Sequence, residues 1–279
     1  MKQPTQTVSV LGCGWLGMAL AERLVKVGYV VKGSSTTPSK LEVIEVTGAR
    51  PYLVELSPSV PSTLRGPDVG DFFDADTLIV SMTPPRGSDA AEVHRAQLAA
   101  VRQAAEDSVV NWVIFISSTS VYPNLNRTVV ETDAGDPDKS AGVALLAAEA
   151  VLQQATVFDT TVLRLAGLYG YDRQPGRFLA GKQDMPGGNA PINLVHHDDV
   201  IAVVGQVLEQ RHRSDVLNVC APHHPARRDF YAAAAHKLGL TPPSFNDVDT
   251  DYKIVSSDKL RAKLGYTFRH LDPLGENVP

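Results

Sequence analysis

The segment that most restricts the fold of this chain is GCGWLG, residues 12–17. Its three glycines have the spacing G-x-G-x-x-G. The preceding TVSVL has the composition of a short buried strand, and the following residues carry the apolar spacing of a helix with one buried face. A glycine turn in that context is typical of dinucleotide-binding proteins.

Each glycine in this turn has its own physical reason. Gly12 permits a tight turn, Gly14 lets a diphosphate approach the backbone, and Gly17 lets the helix pack closely on the strand. The first helical residues, Trp15 and Leu16, then present free amide groups and the positive end of the helix dipole to the phosphates. We therefore predict that all five residues bind a cofactor diphosphate.

Further along the chain, strand-like runs alternate with helical ones. ADTLIVS and NWVIFISS are continuous apolar strands, and residues 90–106 and 141–154 have helical patterns. Such alternation predicts an α/β fold, a doubly wound parallel sheet of the Rossmann type. We expect a dinucleotide-binding domain over residues 1–168, with contributions from 192–221, and a smaller substrate-binding subdomain over 169–279.

The bulk properties exclude several classes of function. The chain has 279 residues, a formal net charge of −5 and two cysteines. An acidic balance argues against nucleic acid as a partner, and no apolar run is long enough to cross a membrane. We expect a cytoplasmic protein that acts on a small molecule, without a disulfide framework.

The end of the second predicted strand bears on the choice of dinucleotide. An NAD site usually has a carboxylate here that binds the ribose hydroxyls. The sequence KGSSTTPSK has hydroxyl groups instead, and Ser34, Ser35 and Thr36 with the flanking lysines suit a 2′-phosphate. We therefore predict NADP as the cofactor, with NAD as the alternative. A plain turn rich in serine and threonine is the competing interpretation.

Several segments, in order, resemble the extended short-chain dehydrogenase/reductases, which are NAD-dependent epimerase/dehydratase-like proteins. These segments are GCGWLG, SSTSVYP, VLRLAGLYG, INLVHHDDVIAVV, LNVCAP and DKLRAKLGY. The chain is most similar to an atypical bacterial subgroup, the YeeZ-like proteins. The resemblance implies a Rossmann core, a smaller C-terminal substrate-binding part and a possible homodimer that forms through two helices.

The resemblance also implies roles for individual residues. Ser118 matches the family's catalytic serine or threonine. The predicted neighbours of the nicotinamide half of the cofactor are Met82, Thr83, Pro84, Ser117, Leu165 and Ala166. The departure is the family's Tyr-x-x-x-Lys pair, whose positions hold Ala141 and Leu145. Without that proton relay, ordinary hydride transfer by the family's usual route is not expected.

Other residues are candidates for the missing chemistry. Tyr122 either acts as a substitute acid or only packs. Arg173 and Arg177, in a loop after a sheet strand, suit an anionic substrate, unless they are simply exposed charges. His196 is a further candidate for substrate binding. The adjacent histidines and aspartates diverge along the chain, so we predict no metal site and expect Asp198 or Asp199 to cap the next helix.

Two functions remain open at this stage. The first is an NAD(P)-binding oxidoreductase-like or epimerase-like enzyme of altered mechanism, with a small and possibly anionic substrate. The second is an NADP(H)-binding redox sensor or regulator without turnover. The opening segment also resembles hydroxyacid dehydrogenases of the phosphogluconate type, but the strand-like VLNVCA argues against their all-helical second domain.

Overall fold

The computed structural model describes residues 6–272 and contains one large sheet flanked by helices. Its strands are β1 (Thr7–Leu11), β2 (Val30–Ser35), β3 (Arg50–Leu53), β4 (Glu55–Leu56), β5 (Leu64–Arg65), β6 (Thr77–Val80), β7 (Trp112–Ser118), β8 (Thr128–Val129), β9 (Asp159–Leu165), β10 (Gly167–Tyr169), β11 (Leu194–His196), β12 (Val216–Val219) and β13 (Ile254–Val255). Its α-helices are α1 (Trp15–Lys26), α2 (Leu41–Val46), α3 (Val69–Phe73), α4 (Ala90–Glu106), α5 (Ser140–Gln153), α6 (Gly176–Leu179), α7 (His197–Gln210), α8 (Arg227–Lys237) and α9 (Asp258–Leu264).

The large sheet has seven strands in the order β12-β9-β7-β6-β1-β2-β3, and all its neighbours pair in parallel. The strand order reverses at β1, whose neighbours are β2 and β6. In open α/β sheets, ligands bind in the crevice outside the carboxyl ends of the strands at such a switch point. The predicted doubly wound parallel sheet is confirmed, and its switch point lies between β1 and β6.

The central strands are buried on both faces, which explains their continuous apolar sequences. Leu78, Ile79 and Val80 in β6 have no exposed surface. Removing side chains of this size from water stabilises the fold by roughly 1.5–3 kcal/mol each. Helix α1 ends just before Gly28, which adopts a positive φ of 100° and donates its amide to the carbonyl of Val25.

The C-terminal third contributes both to the sheet and to a smaller part. Strand β12 lies at the edge of the large sheet, and helix α7 packs against α1. Two short parallel ribbons, β10–β11 and β8–β13, join distant parts of the chain. A separate small cluster of Tyr169, Leu194 and Phe230 supports α8. Across residues 6–272, no helix combines the length and apolar character needed to span a bilayer.

Candidate cofactor and substrate site

The glycine loop has the backbone geometry of a phosphate cradle. Gly12 has φ +97°, and a Cβ there would lie 2.7 Å from the carbonyl oxygen of Ser81. A Cβ on Gly17 would lie 2.2 Å from the carbonyl oxygen of Gly12, so glycine is required for the close approach of α1. A Cβ on Gly14 would meet nothing within 4 Å. The loop therefore packs closely against the protein at Gly12 and Gly17 and is open to solvent at Gly14. This open space fits a dinucleotide diphosphate.

The end of β2 supports this loop from below. Ser34 is almost fully buried, and its hydroxyl accepts a hydrogen bond of 3.1 Å from the amide of Gly12. The Ser35 hydroxyl accepts from the amide of Thr37 at 3.0 Å, whereas Thr36 is exposed. Of the three residues predicted to bind a 2′-phosphate, Thr36 is the one whose side chain is open to solvent.

The lysines that flank this stretch differ in their surroundings. Lys32 is buried, and its ammonium group donates to the carbonyl oxygens of Asp71 and Asp74. Its charge therefore fastens α3 to the sheet. Lys40 is exposed, just beyond the turn that follows β2. Lys40 is thus the flanking cation that an adenosine 2′-phosphate could reach.

The segments predicted to border the nicotinamide lie at the same edge of the sheet. Met82 follows β6, and its Cγ is 3.8 Å from the position that a Cβ on Gly12 would occupy. Thr83 beside it is exposed. Leu165 ends β9, and the amide of Ala166 donates to the carbonyl of Val219 at 3.0 Å. The side chain of Leu16 belongs to the core, so a ligand could meet only its amide.

A buried polar network lies beneath the carboxyl end of β7. Arg164 forms an ion pair with Glu149, with a distance of 2.6 Å between Nη2 and Oε2. The hydroxyl of Ser117 donates to Glu149 at 2.5 Å. The Arg164 guanidinium also donates to the backbone carbonyl of Glu131 at 2.8 Å. Ser117 is buried, and its hydroxyl connects the strand to the buried ion pair.

Tyr122 belongs to the same network. Its side chain has no exposed surface, and its hydroxyl donates to Oδ1 of Asn218 at 2.6 Å and accepts from Arg164 at 2.8 Å. Burial raises the pKa of Tyr122 to about 12. The phenol is therefore enclosed by Asn218 and Arg164, although Tyr122 is among the residues that line the cleft beside Ser118, and its role as a substitute acid stays a prediction.

Helix α5 approaches the site at the point where the family's relay would stand. A Cβ on Gly142 would lie 2.1 Å from the carbonyl oxygen of Ser120, so the helix packs closely on the turn after Ser118. Ala141 is exposed at the start of this helix, and Leu145 is buried in the core. The two positions that the resemblance assigns to the relay therefore hold side chains that cannot transfer a proton.

A cleft of about 310 Å³ opens beside Ser118. We call it the Ser118 cleft; its lining includes Ser118, Asp138, Lys139, Asn193, Arg227 and Lys253. The hydroxyl of Ser118 accepts from the amide of Ser120 at 3.2 Å and keeps its own hydrogen for another acceptor. The cleft joins the carboxyl end of β7 to the C-terminal part of the chain, where a substrate can meet both.

Lys253 is a feature of this cleft that sequence reasoning missed. It is half-buried, and its ammonium group donates to the carbonyl oxygen of Tyr122. Burial lowers the pKa of Lys253. A lone lysine in the polar segment DTDYKIV gives no spacing signal; only the pairing of β13 with β8 brings it to Ser118.

The two predicted substrate arginines lie outside the Ser118 cleft. The Arg173 guanidinium lies 5.0 Å from the centre of the Trp15 ring, at the N-terminus of α1. Tyr171 anchors the same loop, since its hydroxyl donates to Asp198 at 2.8 Å. Arg177 is exposed on α6. Arg173 therefore places its positive charge beside the glycine loop, at the phosphate end of the site.

His196 is buried and caps helix α7. Its Nδ1 accepts from the amide of Asp198 at 3.2 Å, so the expected cap by Asp198 or Asp199 is wrong. Asp199 is fully buried and accepts from the hydroxyl of Tyr266 at 2.6 Å. Burial lowers the pKa of His196 to about 4, which keeps the ring neutral. His196 is not among the residues that line the cleft beside Ser118, and its role in substrate binding stays a prediction.

One group of possible metal ligands occurs among the described residues: the ligand atoms of His196, Asp198 and His270 lie within 4.8 Å of one another. The two imidazole rings have centroids 3.7 Å apart and are tilted by 30° to each other. The carboxylate of Asp198 already accepts from the hydroxyl of Tyr171 at 2.8 Å. The capping bond of His196 also engages its Nδ1. We assign no metal to this group.

A larger depression of about 740 Å³ lies at the amino ends of the strands, beside Asp159 and Val216. Its cations are already paired, because Lys259 contacts Asp215 and Arg213 contacts Asp159. Ligands of open α/β sheets bind at the opposite, carboxyl edge. The Ser118 cleft and the glycine loop are therefore the better candidates for function.

Comparison with known proteins agrees with this architecture. The chain is 36% identical to protein YeeZ of Escherichia coli K12 over 272 residues, which are 96% of this chain and 97% of that protein. A conserved protein of unknown function from Silicibacter pomeroyi is 25% identical, with a TM-score of 0.75 over 97% of this chain and 96% of that one. No protein-family model matches.

The fold is also that of known epimerases. The UDP-glucuronic acid 4-epimerase of Bacillus cereus, in a structure with NAD, has a TM-score of 0.75 at 18% identity and covers 94% of both chains. At this identity the likeness establishes the fold. The near full-length match to YeeZ carries the assignment further. The chain belongs to the YeeZ family.

Proposed function

We propose that this protein is an NAD(P)-dependent oxidoreductase or epimerase that acts on a small anionic substrate. The observation that carries the proposal is the open space above Gly14, between two glycines that tolerate no side chain. This geometry leaves the main-chain amides at the start of α1 accessible to a diphosphate. The space lies at the switch point of the sheet, where such ligands bind in this fold.

We infer a preference for NADP(H) from the end of β2. Thr36 and Lys40 are exposed there, and the stretch between Lys32 and Lys40 has no carboxylate that would repel a 2′-phosphate. Arg173 adds positive charge beside the glycine loop. The positive charges of Lys40 and Arg173 favour an anionic group on either the cofactor or the substrate.

The chemistry would take place where the glycine loop and the Ser118 cleft meet. A bound nicotinamide would supply or accept a hydride at its C4. Ser118 would orient a substrate hydroxyl or carbonyl group, since its hydroxyl hydrogen is available. Two cationic side chains of the cleft, Lys139 and Arg227, would hold the anionic part of the substrate.

Sugar nucleotides are the first substrates to try. The UDP-glucuronic acid 4-epimerase of similar fold acts on such a compound, which carries both a diphosphate and a carboxylate. The panel is therefore UDP-glucuronic acid, UDP-glucose and UDP-N-acetylglucosamine, each with NAD⁺ and NADP⁺. Reduced cofactor is followed by absorbance and epimerised sugar by NMR.

Calorimetric titration with NAD(H) and NADP(H) tests the proposal. The wild-type protein should bind at least one of these dinucleotides. The variant Gly14→Val should fold normally, because φ at Gly14 is −77° and a Cβ meets no neighbour, but should lose at least about tenfold in dinucleotide affinity. A wild-type protein that binds no pyridine dinucleotide, or a Gly14→Val variant that binds as well as wild type, would contradict the proposal.

A redox sensor without turnover is the second candidate. The observations that favour it are the loss of both relay side chains at Ala141 and Leu145, and the engaged hydroxyl of Tyr122. In this case NADP(H) binding should alter the loop around Arg173. The fluorescence of Trp15, which Arg173 contacts, would report that change. Turnover of any compound in the panel would exclude the sensor.

A further inference from the structure

The Ser118 cleft contains a titratable group that the family's usual mechanism does not use. We propose that Lys253 replaces the absent tyrosine and lysine as the proton donor and acceptor for the substrate oxygen that Ser118 binds. The inference rests on the proposed function and extends it to a named acid–base group.

The backbone of Lys253 is held firmly on both sides. Its carbonyl accepts from Asn193 Nδ2 at 2.9 Å, and the amide of Val255 donates to Asn193 Oδ1 at 2.8 Å. On the other side, Tyr252 and Asn126 exchange hydrogen bonds of 2.8 Å. These bonds fix the point from which the Lys253 side chain enters the cleft, and a fixed starting point favours correct orientation towards a substrate.

The ammonium group is fixed as well. Its nitrogen donates to the carbonyl of Tyr122, four residues after Ser118 on the same turn. An ammonium group has three donors, so two remain for a substrate in the cleft. Lys253 and Ser118 thus line one small cleft and are tied to the same short segment of backbone.

The surroundings suit a group that must release its proton. Among the described residues, the other charged side chains lining the cleft are Asp138, Lys139, Arg227 and Asp251. Both carboxylates are engaged, since Asp138 accepts from the amide of Asn124 at 2.8 Å and Asp251 accepts from Asn126 Nδ2 at 2.7 Å. Burial lowers the pKa of the Lys253 amine, Asp138 opposes this and Lys139 adds to it. The net effect is a lowered pKa of Lys253, which favours the neutral amine relative to an exposed lysine.

The step balances with the cofactor of the proposed function. In reduction, the Lys253 ammonium gives its proton to a carbonyl oxygen while the carbonyl carbon receives a hydride, with its two electrons, from reduced nicotinamide. The C=O π pair becomes the new O–H bond, and the neutral amine regains a proton from water at the cleft mouth. In oxidation, the neutral amine takes the hydroxyl proton as the hydride leaves for oxidised nicotinamide.

The first test needs no substrate. Trace acetylation with acetic anhydride between pH 6 and 11, quantified by peptide mass spectrometry, gives a titration midpoint for each lysine. We expect Lys253 to titrate at a lower pH than Lys263, which is exposed on α9 and serves as the internal reference. A midpoint for Lys253 equal to or above that of Lys263 would overturn the proposal, whatever the cofactor measurements give.

The second test uses the sugar nucleotide that turns over in the panel above. Lys253→Met should lower kcat by about 10²–10⁴-fold, since that is the usual contribution of general acid–base catalysis. Lys253→Arg keeps the charge but cannot release its proton, so KM should change little while kcat falls and the corresponding limb of the pH profile disappears. Lys263→Met is the matched control and should behave as wild type.

The outcomes separate the two claims. If Lys253→Met still binds the dinucleotide and turns over the substrate at the wild-type rate, Lys253 is not the acid–base group. The proposed function would then remain intact. A rise in KM alone in both Lys253 variants would make Lys253 a binding residue and would also overturn the inference. Absence of dinucleotide binding in the wild type would instead remove the proposed function.

Discussion

We expect the residues at the end of β2 to set the cofactor preference through their charge. Ser35 is nearly buried, and its hydroxyl accepts from the amide of Thr37. An aspartate here would retain that acceptor and add the carboxylate that binds ribose hydroxyls in NAD sites. It would also repel a 2′-phosphate.

We therefore expect Ser35→Asp to lower the affinity for NADP(H) by at least about tenfold, or ~1.4 kcal/mol, with NAD(H) affinity equal or higher. Isothermal titration calorimetry with both cofactors measures the ratio. Ser35→Asn is the control, because it has the same shape and no charge, and should shift the ratio much less. The prediction fails if the aspartate and asparagine variants behave alike.

At the scale of single residues, the features that could be predicted from the sequence are those that depend on residues adjacent in the chain. The glycine spacing, the strand before it and the helix after it are all local, and Gly12 and Gly17 have the close contacts expected of them. The sequence could not place Lys253, because that position depends on the pairing of strands 126 residues apart, Thr128 with Ile254. Nor could it foresee that Tyr122 is enclosed by Arg164, a residue from another strand.

Three elements meet in the network below the site: β7 through Ser117, α5 through Glu149 and β9 through Arg164. Both charged side chains of the pair are nearly fully buried. Removing one partner of such a pair leaves an uncompensated buried charge, whereas replacing both with apolar residues is often nearly neutral. The packing of these elements therefore depends on the pair as a unit.

We expect Glu149→Leu and Arg164→Met each to lower the free energy of unfolding by about 3–5 kcal/mol, and the double variant to lose clearly less than their sum. Urea denaturation of the four proteins measures the coupling. The exposed pair of Lys26 with Glu22 on α1 is the reference, and Glu22→Gln should change stability by less than about 1 kcal/mol. Single variants as stable as wild type would contradict this view of the network.

At the scale of the whole molecule, helices α4 and α5 pack side by side, and small apolar residues remain on the outer face of α5. On α5, Val143, Ala147 and Ala150 recur at i, i+4 and i+7, and Val143 is 44% exposed. On α4, Ala99 is exposed as well. Small side chains allow two pairs of helices to approach closely, so we propose this face as the interface of a homodimer.

The site and this face share one element, because α5 begins against the turn that carries Ser118. We expect the wild-type protein to be a dimer by sedimentation equilibrium, and Val143→Asp to be a monomer, since a carboxylate would be buried without a partner. Val46→Asp is the control: Val46 ends α2 and is 88% exposed, so the variant should remain dimeric. A monomeric wild-type protein would contradict the proposed interface. Loss of the dimer in both variants would show that the effect is not specific to the face of α5, and the interface would then have to lie elsewhere. Dinucleotide affinity in the monomeric variant then shows whether pairing of α5 steadies the turn at Ser118 or only joins two independent sites.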